Sequence, residues 1–270
     1  MDNLSTFNFP KNGIECYHFT SSVDNALDIL TYHHLLGSLP SKVNDPDDLK
    51  ITVANLYASP LLKTFPNIFS KQSVEENVNR VLSSKVFMDR IYRFLCLAVA
   101  SKVDGDPRST LRFWENYADH FNGVRLKFQV DQDFLVMPRP IETFCQRISY
   151  TGRVAKIDAA KIKNISDIRK LIMPESMLRD ICYSKSEKWA SEYELRLGCT
   201  YSHLQLSMSR VTSKEERFFV FDPLKLKEVV IGYRARIEDI GLLKLMTQIL
   251  GIPLRMAVTK AVTGICYVTI

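Results

Sequence analysis

The residues best suited to chemistry lie in the stretch KSEKWASEYELRL, residues 185–197. Glu192, Glu194 and Arg196 occupy alternating positions, and on an extended strand their side chains would lie on one face. Two carboxylates that share a strand face repel each other unless a positive group or a ligand lies between them. Arg196, a lysine or a bound ligand can fill that place.

Periodicity leaves the conformation of this stretch open. A period of two places Trp189, Tyr193 and Leu197 on the apolar face of a strand. The same three residues also fall on one stripe of a helix, in which Glu192 and Arg196 would pair at i and i+4. Strand and helix therefore remain alternatives for residues 187–197.

Helix and strand patterns alternate along the rest of the chain. Ser22 is a plausible helix N-cap, and Ser73 with Glu76 forms a capping box. Helices are predicted at residues 21–36, 73–94, 109–121 and 238–250, and strands at residues 14–20, 94–101, 124–130, 217–221, 227–232, 254–258 and 264–270.

This mixture lacks a regular βαβ rhythm and a G-x-G-x-x-G turn, which argues against a doubly wound sheet and a P-loop. We expect a single α+β domain over residues 1–270, with a mixed or antiparallel sheet and a helical insertion at about 55–92.

Composition excludes several classes of protein. The content of 46% hydrophobic and 24% charged residues is ordinary for a globular chain. The cysteines occur without a C-x-x-C pair and the histidines without an H-x-x-x-H pair, so neither a disulfide framework nor a metal site is expected. The apolar runs are far shorter than a bilayer span and the first residues lack a signal-peptide pattern, so we expect a cytoplasmic protein without a membrane partner.

Positive charge is concentrated in residues 147–170, which contain seven basic and two acidic residues. Such a segment can bind phosphate, an acidic partner or nucleic acid. The alternative is a solvated helix face or loop.

Two sequence blocks are specific enough to suggest a family. The first is W-x-x-Y-A-x-x-x-x-G from Trp114, and the second is K-x-x-x-W-x-x-E-x-E-x-R from Lys185. Together with YHFTS, NDPDD, CLAVAS and a late VVIG, in this order over nearly the whole chain, they resemble the bacterial family called domain of unknown function twenty-nine seventy-one. The chain departs from that family in NDPDD, where relatives carry an aromatic residue and a glutamate in place of Asp47 and Asp48.

The amino-terminal and Glu-x-Glu features of that family look like those of ADP-ribosyltransferases, which cleave the nicotinamide–ribose bond of NAD. The resemblance implies a split-sheet core and NAD as substrate. It implies that Glu194 stabilises the oxocarbenium-like ribose, that Glu192 orients or deprotonates the acceptor, and that His18 holds the ribose or a phosphate. The expected NAD-contacting residues are Tyr17, Thr20, Asn44, Ser101, Trp114, Tyr117, Lys185 and Arg196.

Several of these residues have simpler interpretations. His18 can be an ordinary hydrogen-bonded histidine, Trp114 and Tyr117 can be core residues, and Asn44 can fix an Asx-turn before Pro46. The acidic pair in NDPDD can weaken a ligand contact.

Two other functions stay open. One is a nucleotide-binding sensor or regulatory module without catalysis. The other, less favoured, is a metal-dependent nuclease that uses Asp45 with Glu192 or Glu194. For a transferase, the acceptor and the biological role, as toxin, phage-defence effector or housekeeping modifier, are left open by the sequence.

Overall fold

A computed structural model describes residues 12–43, 48, 51–54, 92–136, 142–152, 155–161, 182–200, 218–260 and 264–270. The described part is a mixed sheet with a few helices, which confirms the α+β expectation. The strands are β1 (Ile14–Thr20), β2 (His34–Leu36), β3 (Ile51–Ala54), β4 (Tyr92–Val99), β5 (Val124–Val130), β6 (Glu142–Arg147), β7 (Ala155–Asp158), β8 (Glu194–Thr200), β9 (Phe218–Val220), β10 (Leu226–Gly232), β11 (Leu254–Lys260) and β12 (Gly264–Thr269). The α-helices are α1 (Val23–Tyr32), α2 (Ala100–Asp104), α3 (Pro107–Asn116) and α4 (Ile237–Leu250).

The main sheet has eight strands in the order β12-β11-β10-β5-β1-β4-β8-β6. Among the described strands of this sheet, only β10 and β11 run parallel, so the sheet is mixed. Two further strand pairs, β2 with β9 and β3 with β7, lie outside the main sheet.

The central strands β1 and β4 separate after a short contact. Cys16 faces Val99 and Tyr17 faces Ala98, and the pairing then stops. By contrast, β1 pairs with β5 along its whole length, and β4 pairs with β8 from Tyr92 to Ala98. The sheet therefore consists of two well-paired halves that are joined at one end and open at the other.

Helix α1 begins as the sequence predicts but ends earlier. The Ser22 hydroxyl accepts a hydrogen bond from the Asn25 amide at 3.2 Å, as expected of an N-cap. The predicted helix over residues 21–36 is wrong at its end, because His33 adopts a left-handed conformation with φ 51°. The chain then enters β2, where pairing with β9 buries Leu35 completely.

The segment after β4 also differs from prediction. The expected strand over residues 94–101 ends at Val99, because helix α2 begins at Ala100. Ser101 is thus an exposed helical residue. The predicted helix over residues 109–121 begins at Pro107, where Asp106 provides the N-cap, and ends at Asn116.

The predicted helical insertion falls on residues that are mostly outside the description. Residues 55–91 are not described, and Tyr92, at the predicted boundary, opens β4.

Candidate active site

A cavity of about 500 Å³ lies where β1 and β4 separate. Its size falls within the range of about 300–1,000 Å³ that is typical of small-molecule sites. Most of the residues expected from the sequence line it. These are Tyr17, His18, Thr20, Tyr117, Lys185, Glu192, Glu194 and Arg196.

The Glu-x-Glu segment is neither a continuous strand nor a continuous helix. Residues Glu187–Glu192 form a 3-10 helix, and β8 begins at Glu194. Tyr193 joins the two in a left-handed conformation, with φ 45° and ψ 43°. Of the two alternatives left open by the sequence, the strand therefore applies to Glu194 and Arg196, whereas Glu192 ends a 3-10 helix.

Lys185 is the positive group between the two carboxylates. Its Nζ lies 2.6 Å from Glu192 Oε2 and 3.3 Å from Glu194 Oε2. Burial alone would lower the pKa of Lys185, but the two glutamates outweigh it and hold this pKa above its ordinary range. The same ammonium lies 4.9 Å from the centre of the Trp189 ring, a cation–π contact that helps to fix it.

Arg196 holds the other side of Glu194. Its Nε donates to Glu194 Oε1 at 2.7 Å, and its two terminal nitrogens donate to Asp48 Oδ1 and Oδ2 at 3.0 and 2.8 Å. Arg196 and Asp48 are both fully buried. The bidentate contact with Asp48 fixes the plane of the guanidinium, and through it the orientation of Glu194.

Asp48 is the residue that sequence reasoning missed. The acidic pair of NDPDD suggests a weakened ligand contact, and the structure adds a role for Asp48 that the sequence did not suggest, because both of its carboxylate oxygens accept hydrogen bonds from Arg196. No local signal in the sequence identifies this partner, because Asp48 and Arg196 are 148 positions apart.

Glu194 is ionised under ordinary conditions. Burial alone would raise the pKa of Glu194, but Arg196 and Lys185 outweigh it and lower this pKa to about 2. The buried cluster of Asp48, Glu192, Glu194, Lys185 and Arg196 contains three carboxylates and two cations, so it carries one net negative charge.

His18 reaches the cavity through the gap between the strands. Tyr17, Ala98 and Glu194 are in register across the three strands, so their side chains lie on one face of the sheet. Strand alternation would place the next side chain, that of His18, on the opposite face. Because β4 moves away from β1 after Tyr17, both His18 and Glu194 line the same cavity. Burial lowers the pKa of His18 to about 4, and a hydrogen bond to the Cys96 backbone opposes that change only in part, so the imidazole is neutral at neutral pH.

Aromatic side chains form another part of the wall. Phe19 stacks on Phe113 with ring centres 4.9 Å apart, and both line the cavity. Tyr117 donates a hydrogen bond to Glu192 Oε1. The ring of Tyr17 lies against the Arg125 guanidinium at 4.1 Å, and its hydroxyl donates to Asp104 at 2.6 Å.

The other predicted contacts do not gather at the cavity. Trp114 is fully buried and stacks on Phe121 with ring centres 5.3 Å apart, so its prediction as a ligand contact is wrong. Ser101 is absent from the cavity lining because it lies on α2. Asn44 and Asp45 lie outside the described residues, as do residues 153–154 and 162–170 of the basic segment.

No protein-family model, curated protein or solved structure matches this chain. Within the described ranges, no group of three or more His, Cys, Asp or Glu residues is arranged to hold a metal ion. None of the helices in those ranges is long and apolar enough to cross a membrane.

Proposed function

We propose that the chain is an NAD-dependent ADP-ribosyltransferase or NAD glycohydrolase, and that the cavity between β1 and β4 binds NAD. The observation that carries the proposal is the presence of an ionised Glu194 and a neutral His18 on the wall of one cavity of about 500 Å³. The resemblance to the family called domain of unknown function twenty-nine seventy-one, which looks like the ADP-ribosyltransferases, supports the same reaction.

The charge of the site suits this reaction. When the bond between the ribose carbon and the nicotinamide nitrogen breaks, its electron pair neutralises the pyridinium ring and positive charge grows on the sugar. An ionised Glu194, in a cluster with one net negative charge, stabilises that sugar cation and accepts a hydrogen bond from a ribose hydroxyl. Lys42, exposed on the cavity lining, is suited to the negative pyrophosphate of NAD.

Glu192 is the proposed base for the second half of the reaction. One of its oxygens accepts from Tyr117 and the other from Lys185. Each carboxylate oxygen has a second lone pair, so Glu192 can still accept the proton of an attacking hydroxyl or water. General-base help of this kind contributes about 10²- to 10⁴-fold to a rate.

The non-polar wall has a role in binding. The stacked pair of Phe19 and Phe113, with the Tyr117 ring beside it, offers an apolar surface for the nicotinamide ring. A neutral His18 donates its one N–H to the Cys96 carbonyl, so its other ring nitrogen can accept a hydrogen bond from a ribose hydroxyl.

The test is release of nicotinamide from labelled NAD. We expect release by the wild type and a loss of about 10²- to 10³-fold in Glu194→Gln, the range seen when one preorganised electrostatic group is removed. Glu187→Gln is the matched control, because Glu187 is an exposed glutamate of the same segment. NAD binding by Glu194→Gln should persist. Equal release by Glu194→Gln and the wild type would refute the catalytic role of this carboxylate.

A non-catalytic nucleotide sensor is the second candidate, and one observation favours it. Glu192 and Glu194 are both held by Lys185, and Glu194 is also held by Arg196, so the cations already offset much of the charge that catalysis would use. A sensor would bind NAD and return it intact. Equilibrium dialysis followed by chromatography of the recovered NAD distinguishes the two candidates.

A further inference from the structure

A second cavity, of about 420 Å³, adjoins the candidate active site. Tyr17 lines both cavities. The charged side chains on its lining are Asp104, Arg125, Lys127, Glu228 and Arg255. Three of these are cations and two are carboxylates, so the lining carries one formal net positive charge.

Arg125 is the most constrained of these cations. Its side chain is 2% exposed, and its guanidinium lies between the rings of Tyr17 and Tyr267, at 4.1 and 4.2 Å from their centres. One terminal nitrogen donates to the Tyr267 hydroxyl at 2.7 Å and the other to Glu228 at 2.8 Å. Its Nε has no hydrogen-bond partner among the described residues. The ring contacts fix a planar donor group whose hydrogen-bonding capacity is not fully used.

The other two cations are better able to move toward a ligand. The Arg255 side chain is 46% exposed and contacts Glu228 at 3.2 Å, and Lys127 contacts the half-exposed Glu15 at 2.8 Å. Ion pairs that are partly exposed to water are weak, because solvent screens them, so each of these cations can exchange its carboxylate for another anion. Arg255 and Lys127 can therefore turn to a ligand while Arg125 stays in place.

We propose that this second cavity binds a phosphate group, either free or as a phosphate ester, beside the candidate active site. Planar guanidinium groups recognise phosphate through paired N–H donors, and a lysine adds a compact charge. A dianionic phosphate also matches the positive lining better than a singly charged carboxylate. The proposal is independent of NAD chemistry in the first cavity.

Isothermal titration of the full chain without NAD tests the proposal. The probes are inorganic phosphate, glycerol 3-phosphate, glycerol and acetate. We expect both phosphate compounds to bind, acetate to bind more weakly and glycerol not at all. Tighter binding of glycerol 3-phosphate than of inorganic phosphate would identify an ester as the preferred source, and the reverse would identify free phosphate.

The variant Lys127→Gln with Arg255→Gln leaves the buried Arg125 and its contacts in place, so we expect it to fold. We expect its Kd for phosphate to rise at least about tenfold, as for the loss of about 1.4 kcal/mol. Arg234→Gln with Lys244→Gln removes two exposed cations outside this cavity and should leave the Kd unchanged. Absence of binding to the wild type at millimolar phosphate, or equal binding by both double variants, would overturn the proposal. Nicotinamide release should be the same in all three proteins, so a failure here leaves the proposed function untouched.

Discussion

Asp48→Ala is the sharpest test of how the candidate site is held together. Both Asp48 oxygens accept hydrogen bonds from Arg196, at 3.0 and 2.8 Å, and neither side chain is exposed to solvent. The substitution leaves Arg196 with Glu194 and the carbonyl of Cys182 as its remaining partners. Removal of one member of a buried ion pair costs about 3–5 kcal/mol, because the other charge stays buried without its partner. That is a large share of the roughly 5–15 kcal/mol that stabilises a typical domain.

Urea unfolding at neutral pH measures this cost. Asp239→Ala is the matched control, because Asp239 also contacts an arginine, Arg236, at 2.8 Å, but that arginine is 74% exposed. An exposed pair contributes about 0.2–1 kcal/mol. We expect the Asp48 variant to lose several times more stability than the control. Equal losses would refute the argument that burial makes this pair important.

A double-mutant cycle separates the pair from its surroundings. Asp48→Ala combined with Arg196→Met removes both charges, so it should cost less than the sum of the two single substitutions. A double variant whose loss equals that sum would show that the two residues are not coupled.

Two further predictions concern protonation and close packing. In the folded chain His18 has a pKa of about 4, below its ordinary value of 6.5. Between these pH values the unfolded chain binds more protons than the folded chain, so the free energy of unfolding should fall as pH decreases from 6.5 to 4. His18→Asn should flatten this part of the curve in urea unfolding, and an unchanged slope would contradict the assignment. At Gly232, a Cβ would overlap the Phe121 carbonyl, so Gly232→Ala should cost about 1–3 kcal/mol in the same assay. The control Gly241→Ala, in open space on α4, should instead stabilise by about 0.5–1 kcal/mol, and similar effects at both positions would contradict the steric argument.

Local pattern predicts the elements that carry the site. Alternation predicts β1 and β5, and the Ser22 cap predicts the start of α1, because these signals depend on neighbours along the chain. The same pattern does not predict Tyr193. A tyrosine with φ 45° lies in a backbone region that residues other than glycine rarely adopt, and no pattern in the neighbouring sequence predicts it. The junction between the 3-10 helix and β8 depends on tertiary contacts around Glu192, which sequence reasoning cannot supply.

Long-range partners were beyond sequence reasoning for a different reason. Asp48 and Arg196 are 148 positions apart, and no periodicity relates residues at such a distance. Trp114 shows an error of another kind: the W-x-x-Y-A pattern that it begins suggested a ligand contact, but packing against Phe121 and burial in the core account for it. A conspicuous motif residue can thus serve the fold, while an inconspicuous aspartate orders the site.

The opening between β1 and β4 is a property of the fold rather than of a frayed strand. Full pairing with β5 fixes β1, and pairing with β8 fixes β4, so neither strand depends on the other for its own order. The two halves meet at Cys16 with Val99 and at Tyr17 with Ala98, and all four residues are buried. If pairing continued past Tyr17, His18 and Glu194 would lie on opposite faces of a closed sheet. Their presence on one cavity wall therefore depends on the strands separating at this point, and the chemistry proposed for the cavity depends on it in turn.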